Sequence, residues 1–174
     1  MEEYLACKSL LFRQVRHAAA NCDDAQYRAV TKDFDGELHT FGLSEQAQLR
    51  AKNERLLSEG GFIGVHFETE GAKTLSLDVG VPGVFNVYNA LAAISAVSFF
   101  DIPDQAIIDG LRVAHVKGRV EPVKVPGNYS LLIDYAHNAL SMENVLTTLR
   151  RYRPHRRPGV LGCGVRQGCS GSLR

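Results

Sequence analysis

The fold class of this chain is decided by one stretch, Leu131-Leu132-Ile133-Asp134-Tyr135-Ala136-His137. Three consecutive apolar residues are typical of a short strand, and polar residues follow the strand at once. A helix is predicted next, with apolar residues at i, i+3, i+4 and i+7 spacing on one face: Met142, Val145, Leu146 and Leu149. A strand that leads through a polar loop into a helix opens a βα unit, where α/β sheets bind ligands. We therefore predict an α/β protein with a ligand site in this loop.

Upstream of this stretch the apolar spacing predicts further helices and strands. Helices are predicted over residues 2–12, 86–100 and 103–113, together with a short helix that Asp23 and Asp24 cap and that ends near Val30. A buried strand is expected over residues 15–20. Glycine-rich turns separate the strand segments of a predicted β-meander over residues 38–41, 47–49, 62–67 and 74–77. Helix 86–100 is apolar on almost every side, so we expect it to be buried nearly all round.

The composition is that of an ordinary globular chain, since 45% of the 174 residues are hydrophobic and 22% are charged. This length allows one medium domain or two small ones. Twenty basic side chains against nineteen acidic ones leave a formal charge of +1. Such a balance gives no electrostatic footprint for nucleic acid or an anionic membrane. A small anionic ligand is still allowed, because it needs only a local patch or a helix N-terminus.

The expected cellular location follows from what the sequence lacks. The four cysteines have no C-x-x-C spacing, so they indicate neither a zinc site nor a disulfide framework. Two glutamates follow Met1 directly, so no basic n-region of a signal peptide is present. The longest apolar run, over residues 90–100, is too short to cross a bilayer. We therefore predict a cytoplasmic protein without a membrane or nucleic-acid partner.

The polar loop after the strand has two interpretations. Asp134 can accept hydrogen bonds from ribose hydroxyls, and His137 can donate to ribose or phosphate. Alternatively, Asp134 and Asn138 cap the next helix, which is the commoner role for such residues. Arg119 can pair with phosphate oxygens or stack on a nucleobase, although a lone loop arginine is usually solvated. Physical reasoning from these residues alone leaves both interpretations open.

Two asparagines and a lysine are further candidates. Asn86 fits the N-cap of helix 86–100. Asn89 is harder to explain, because a buried amide needs partners, and an adenine edge offers a matching donor and acceptor. Lys8 lies among apolar residues of the first helix. It is either a lysine that reaches solvent from the helix edge or a partly buried amine with a lowered pKa.

Taken together, these residues resemble the Mur ligase family, most closely its UDP-N-acetylmuramoyl-tripeptide synthetase branch. The matching stretches occur in the family's order over about residues 1–163: MEEYLACKSLLF, NCDD, VPGVFNVYNALAAISAV, GLRVAHVKGRVEPV and LLIDYAHNALSMENVLTTLR. One such motif would be weak evidence, but five in order are specific.

The resemblance implies a fold and a domain organisation. Residues 1–117 are expected to form the C-terminal half of a Mur ligase central ATPase domain. Residues 118–174 are expected to begin a Rossmann-like C-terminal domain, with residues 165–174 forming a disordered, aberrant tail. No G-x-x-x-x-G-K-[ST] motif occurs in the sequence, so these residues hold no P-loop for a triphosphate. The chain is therefore expected to be truncated at both ends and inactive alone.

The activity that the resemblance implies is ATP- and Mg²⁺-dependent amide ligation in peptidoglycan precursor synthesis. A third amino acid would be added to a UDP-N-acetylmuramoyl dipeptide through an acyl phosphate. Lys8 matches a lysine that is carbamylated and whose new carboxylate helps to position Mg²⁺. Asn86 matches a contact to adenine. The residues that match contacts to the ribose and phosphates of ATP are Arg119, Asp134 and His137.

Three other functions are weighed against this one. Cyanophycin synthetase and folylpolyglutamate synthetase share the ligase core. The folate enzymes usually carry glycine where Tyr135 stands, and the run from Ser141 to Asn144 favours the muramyl branch over cyanophycin synthetase. From a different class, the chain could be a non-catalytic nucleotide-binding module, which the absent P-loop motif favours for this polypeptide.

Overall fold

A five-stranded mixed sheet organises the first part of the chain in the computed structural model, which describes residues 2–59, 62–123, 131–151, 159–160 and 172–173. The sheet order follows the chain: β1 (His17–Asn21), β2 (Glu37–Gly42), β3 (Leu49–Glu59), β4 (Phe62–Gly71) and β5 (Ser76–Val79). Strand β2 pairs in parallel with β1 and β3, whereas β4 pairs antiparallel with β3 and β5. The predicted β-meander is therefore correct for β3 to β5 and wrong for β2.

Strand β3 is eleven residues long, although the sequence predicts only a short segment at 47–49. Its first residues alternate between a core face, with Leu49 and Ala51 each 2% exposed, and a charged face. On the charged face, Arg50 and Lys52 both pair with Glu70 of β4, at 3.1 and 2.7 Å. Charged residues have low strand propensity by themselves, so their strand conformation depends on these cross-strand pairs and on the buried alternate residues.

The helices of the described residues are α1 (Glu2–Phe12), α2 (Tyr27–Thr31), α3 (Phe85–Val97), α4 (Asp104–Arg112) and α5 (Ala139–Arg151). The helices predicted near the chain start, after residue 86 and after residue 103 are confirmed. The prediction that Asp23 and Asp24 cap α2 is wrong, because Gln26 occupies the cap position and no side chain caps the helix there. Asp24 accepts a hydrogen bond from the Gln26 N–H just before α2, at 2.8 Å. Asp23 instead accepts from the N–H groups of Leu43 and Ser44 after β2.

The core forms where one face of α3 packs on the sheet. Val87, Leu91 and Ile94 have no exposed surface on that face. They pack in one cluster with strand residues that are equally buried, namely Val65, Phe67 and Leu77. Burial of each such side chain contributes about 1.5–3 kcal/mol relative to its exposed state. This contact determines where the first turn of α3 lies relative to the strands.

The prediction that helix 86–100 is buried nearly all round is wrong. Ala93 and Ala96 are exposed, as is Asn89, and the helix ends at Val97. The reason is that alanine is apolar but small, so an alanine-rich solvent face looks like a core face in the sequence. The argument that Asn89 is a buried amide fails for the same reason.

The predicted order of strand, polar loop and helix in the C-terminal part is confirmed. Strand β7 (Leu131–Ile133) pairs antiparallel with β6 (Glu121–Val123), and Leu131 and Ile133 are 46% and 51% exposed. Pro122 lies within β6, although proline is usually confined to the edges of sheets because it has no N–H to donate. A parallel βα unit needs a second strand after the helix. After α5 the described residues hold only β8 (Gly159–Val160), which pairs with β9 (Ser172–Leu173).

The predicted tail at 165–174 lies outside the described residues apart from Ser172–Leu173, so its predicted disorder stays a prediction. Among the residues that the structure describes, no helix combines the length and the apolar character that crossing a bilayer requires.

Truncation of a core leucine tests the packing of α3. Leu91→Ala removes a fully buried side chain, and we expect the free energy of unfolding to fall by about 2–5 kcal/mol. Leu11→Ala makes the same chemical change at a side chain that is 66% exposed, so it should change stability by less than about 0.5 kcal/mol. Urea denaturation of the two variants measures both values. Equal losses in the two variants would contradict the proposed position of the core.

Candidate functional site

The loop between β7 and α5 holds Asp134 by two main-chain hydrogen bonds. Its Oδ1 accepts from the Ala136 N–H and its Oδ2 from the Val120 N–H, both at 2.7 Å. Asn138, not Asp134, caps α5, because its Oδ1 accepts from the Ser141 N–H at 2.9 Å. The capping interpretation is thus correct for Asn138 and wrong for Asp134.

Arg119 lies between two residues in the left-handed backbone region. Gly118 has φ +71° and Val120 has φ +46°. A β-branched residue there is strained, at a cost of about 1–3 kcal/mol. Three features hold the turn: the Val120 side chain is only 2% exposed, its N–H donates to Asp134, and the Gly118 N–H donates to Glu121 Oε2 at 2.7 Å.

Three exposed side chains gather beside this turn. The guanidinium carbon of Arg119 lies 5.7 Å from the ring centroid of Tyr135, and the imidazole centroid of His137 lies 5.1 Å from the same ring. The Nδ1–H of His137 donates to the Tyr135 carbonyl oxygen at 3.1 Å, because that oxygen can only accept. This bond leaves Nε2 for an external partner. The structure therefore brings together Arg119, Asp134 and His137.

The first turns of α3 hold Asn86 and Asn89 as a bonded pair. Asn86 is buried, and its Nδ2 donates to the Pro82 carbonyl oxygen at 2.7 Å. Asn89 is exposed, and its Nδ2 donates to Asn86 Oδ1 at 2.8 Å. The predicted N-cap role of Asn86 is wrong, because Val84 occupies the cap position and Asn86 is the second helical residue. Of the two amides, only Asn89 presents itself to solvent.

Lys8 is an exposed side chain on α1, with its Nζ 4.6 Å from the ring centroid of Tyr4. The hydrogen bond to Tyr4 and the charge of its phenol raise the pKa of Lys8 above the ordinary value for lysine. The interpretation as a partly buried amine with a lowered pKa is therefore wrong. A raised pKa reduces the neutral fraction of the amine, which is the form that reacts with CO₂.

The structure does not join the two groups of candidates. In the part of the chain that it describes, no hydrogen bond or ion pair connects the asparagine pair to Arg119, Asp134 or His137. An open cleft of about 550 Å³ is lined by none of them but by Glu54, Arg55, Leu56, Val84, Arg150 and Arg151. No group of three or more His, Cys, Asp or Glu side chains in the described ranges could hold a metal ion.

Sequence reasoning missed two features of this region. Tyr135 was used only to separate related families, but its ring is the surface that Arg119 and His137 share. A signal for it existed, since an aromatic residue stands between two polar candidates in the loop. The strained backbone of Val120 had no sequence signal, because valine does not favour a positive φ.

A mixed sheet with a packed helix, followed by a smaller unit that gathers polar side chains after a strand, defines a two-part α/β protein with a candidate ligand surface. Two family models match the two parts: the Mur ligase middle domain over residues 1–97, and the Mur ligase, glutamate ligase domain over residues 118–169. The chain belongs to the Mur ligase family. The exact boundary between residues 117 and 118 stays a prediction.

The curated relatives are bacterial ligases. The chain is 34% identical over 166 residues to the UDP-N-acetylmuramoyl-L-alanyl-D-glutamate–2,6-diaminopimelate ligase of Caldanaerobacter subterraneus subsp. tengcongensis. It is equally similar to the ligase of the same name from Clostridium botulinum. In both cases the match covers 94% of this chain and 34% of the relative. The chain thus spans about a third of the length of these relatives.

Solved structures support the same fold. A UDP-N-acetylmuramoylalanyl-D-glutamyl-2,6-diaminopimelate–D-alanyl-D-alanyl ligase from Acinetobacter baumannii matches with a TM-score of 0.73 and 19% identity, over 84% of this chain and 33% of that one. The folylpolyglutamate synthetase of Lactobacillus casei matches with a TM-score of 0.66 and 18% identity, over 87% of this chain and 40% of that one. At these identities the likeness shows the fold alone.

Removal of the Asp134 carboxylate tests whether its hydrogen bond to Val120 stabilises the strained turn at residues 118–120. In Asp134→Ala the Val120 N–H loses its acceptor, and hydrogen bonds to a charged group contribute about 1.5–3 kcal/mol. We therefore expect amide hydrogen exchange at Val120 to accelerate by about tenfold or more. Asp101→Ala, which removes an exposed carboxylate from the loop before α4, is the control and should leave this rate unchanged. An unchanged Val120 rate in Asp134→Ala would refute the role of this bond.

Proposed function

We propose that this chain is a segment of an ATP-dependent amide ligase of peptidoglycan precursor synthesis. The ligase would act in the cytoplasm on a UDP-N-acetylmuramoyl dipeptide and an amino acid, and join them through an acyl phosphate. The names of the curated relatives support this proposal, because they state a ligase that joins UDP-N-acetylmuramoyl-L-alanyl-D-glutamate to 2,6-diaminopimelate. The observation that carries the proposal is the gathering of Arg119, Tyr135 and His137 beside Asp134, in the part that matches the glutamate ligase domain.

The chemistry of this cluster suits the ribose and phosphates of ATP. A guanidinium can donate two parallel hydrogen bonds to phosphate oxygens, and its positive charge offsets the phosphate charge. His137 keeps Nε2 available for a ribose hydroxyl or a phosphate, because Nδ1 already bonds within the chain. Asp134 has both carboxylate oxygens engaged with main-chain N–H groups. Its main contribution would therefore be to position Arg119 through Val120, with ribose as an additional partner.

The adenine would lie against the asparagine pair. Asn86, the residue that matches the family's adenine contact, is buried and bonded to Pro82. Asn89 is exposed and is oriented by its bond to Asn86. An exposed carboxamide offers a donor and an acceptor that pair with an adenine edge. In this proposal Asn86 acts mainly by orienting Asn89.

The metal part of the proposal has less support from this chain. The described residues form no metal-holding cluster, and the ammonium of Lys8 is exposed with a raised pKa. These residues do not by themselves fit a Mg²⁺ site. Lys8 stays the candidate for carbamylation by family resemblance, and no step of the proposed function is assigned to it here.

The isolated chain should have no ligase activity. The 174 residues contain no P-loop motif, so the backbone amides and the lysine that stabilise a transferring phosphoryl group are absent from them. The purified chain, incubated with ATP, Mg²⁺, UDP-muramyl dipeptide and diaminopimelate, should release no phosphate above background. The full-length Caldanaerobacter ligase serves as the positive control. Phosphate release that depends on the muramyl dipeptide would disprove this expectation.

Truncation of Arg119 tests the nucleotide contact. In a chimera that joins these residues to the flanking segments of the Caldanaerobacter ligase, Arg119→Ala should cost about 1.5–3 kcal/mol in ATP affinity or turnover, the scale of a charge-assisted hydrogen bond. Arg112→Ala, which removes an exposed arginine at the end of α4, should change neither. The residue of the natural ligase that aligns with Arg119 can be replaced by alanine in parallel, which tests the same contact in a protein whose folding does not depend on the chimera. Unchanged affinity and turnover would mean that Arg119 is only a solvated loop residue.

A further inference from the structure

The carboxylate of Asp23 joins three elements that are far apart in the sequence. Its Oδ2 accepts from the Leu43 N–H at 2.6 Å and from the Tyr88 hydroxyl at 3.1 Å, and its Oδ1 accepts from the Ser44 N–H at 3.3 Å. Asp23 follows β1, Leu43 and Ser44 follow β2, and Tyr88 lies in the first turns of α3. We name this set of bonds the Asp23 clasp.

The backbone around the clasp leaves room for the Asp23 carboxylate and fixes the turn that carries it. A Cβ atom on Gly42 would lie 2.7 Å from Asp23 Oδ2, so only glycine lets the carboxylate approach the end of β2 this closely. The Asp23 N–H donates to Asn21 Oδ1 at 3.0 Å, which fixes the turn that carries the carboxylate. The clasp therefore results from several neighbouring residues and not from one surface contact.

Ionisation states favour the clasp at neutral pH. Burial alone would raise the pKa of Asp23, but the hydrogen bonds from Ser44, Leu43 and Tyr88 outweigh it and lower the pKa. Burial and the hydrogen bond to Asp23 raise the pKa of Tyr88 to about 12. The acceptor thus stays ionised and the donor stays protonated.

The clasp lies close to the asparagine pair, Asn86 and Asn89, against which adenine would lie in the proposed function. Parallel strands β1 and β2 end beside it, and α/β sheets bind ligands outside the carboxyl ends of such strands. Tyr88 lies in α3 between Asn86 and Asn89. A hydrogen bond that holds its hydroxyl therefore restrains the helical turn that carries both asparagines. Apolar packing of α3 is non-directional and tolerates small rotations. A hydrogen bond to a rigid turn restricts that rotation.

We propose that Asp23 is a positioning residue of the nucleotide site, which orients the first turns of α3, and with them Asn89, against the carboxyl ends of β1 and β2 through the Tyr88 hydroxyl. This inference rests on the proposed function, because it assigns the clasp to the surface that would hold adenine. The alternative is that Asp23 only stabilises the loop at residues 43–44.

Tyr88→Phe separates the two roles, because it deletes the hydroxyl and leaves the loop bonds of Asp23 in place. In the full 174-residue chain we expect the side-chain amide NMR signals of Asn86 and Asn89 to shift. Tyr27→Phe removes a hydroxyl from α2 and should leave these signals in place. Asp23→Asn should shift the same signals, and adding Tyr88→Phe to it should give less than the sum of the two changes. Unmoved asparagine signals in Tyr88→Phe would overturn the inference and leave Asp23 as a loop stabiliser.

Titration with ATP adds a readout that a purely structural role would not move. In the chimera that restores the flanking segments of the Caldanaerobacter ligase, Tyr88→Phe should weaken ATP binding about three- to tenfold, the scale of one hydrogen bond. Unchanged affinity in Tyr88→Phe would also overturn the inference. Absence of ATP binding by the unsubstituted chimera would instead contradict the proposed function. The NMR coupling between Tyr88 and the asparagines in the 174-residue chain is measured independently of that result.

Discussion

Packing of one face of α3 against the five-stranded sheet is the contact on which the rest of this structure depends. Val87, Leu91 and Ile94 lose all exposure there, and no other surface in the described residues buries large side chains so completely. Because burial is roughly proportional to the apolar area removed from water, this face dominates the stability of the first part of the chain. Helix α4 then packs beside β5, where the Gly80 N–H donates to the Leu111 carbonyl oxygen at 3.1 Å.

The C-terminal part lacks a contact of this kind and is organised by local hydrogen bonds. Leu131, Ile133 and Tyr135 are all about half exposed or more, so β7 buries little apolar surface. Asp134 instead accepts from the main-chain N–H groups of Ala136 and of the earlier residue Val120, and Asn138 accepts from that of Ser141. Each such bond contributes about 0.5–3 kcal/mol, but the bonds are specific in direction. They are therefore suited to placing individual side chains even where the core is small.

The candidate site residues fall into an inner and an outer set. The inner set consists of Asn86 and Asp134, whose side chains make hydrogen bonds to other residues of the chain. Asn89, Arg119 and His137 are exposed. Asn89 and His137 each donate a hydrogen bond to a neighbour, and the guanidinium of Arg119 lies over the ring of Tyr135. This division gives a physical basis to the proposed nucleotide site, because outer groups held by an inner layer lose less freedom when they bind. It also explains why Asn86 and Asp134 are less exposed than Arg119 and His137, although all four match the family's nucleotide contacts.

Features that depend on neighbours within a few positions can be predicted from the amino-acid sequence. The spacing of apolar residues predicted α1, α3 and α4, and the strand-to-loop-to-helix pattern placed Asp134 correctly at the end of β7. The order of the five family motifs indicates the family without any tertiary information. These signals are local because helical periodicity and turn chemistry act over one or two turns.

Only the tertiary structure decided the features that join distant segments. The parallel pairing of β2 depends on strands on both sides, and the strand at Arg50–Glu59 depends on partners in β4. The solvent face of α3 and the exposure of Lys8 depend on which surfaces meet another element. The bond between Asp23 and Tyr88 spans 65 residues, a separation over which one sequence carries no periodic signal. Such contacts exist only after burial has brought the segments together, so their physical cause lies in the assembled core.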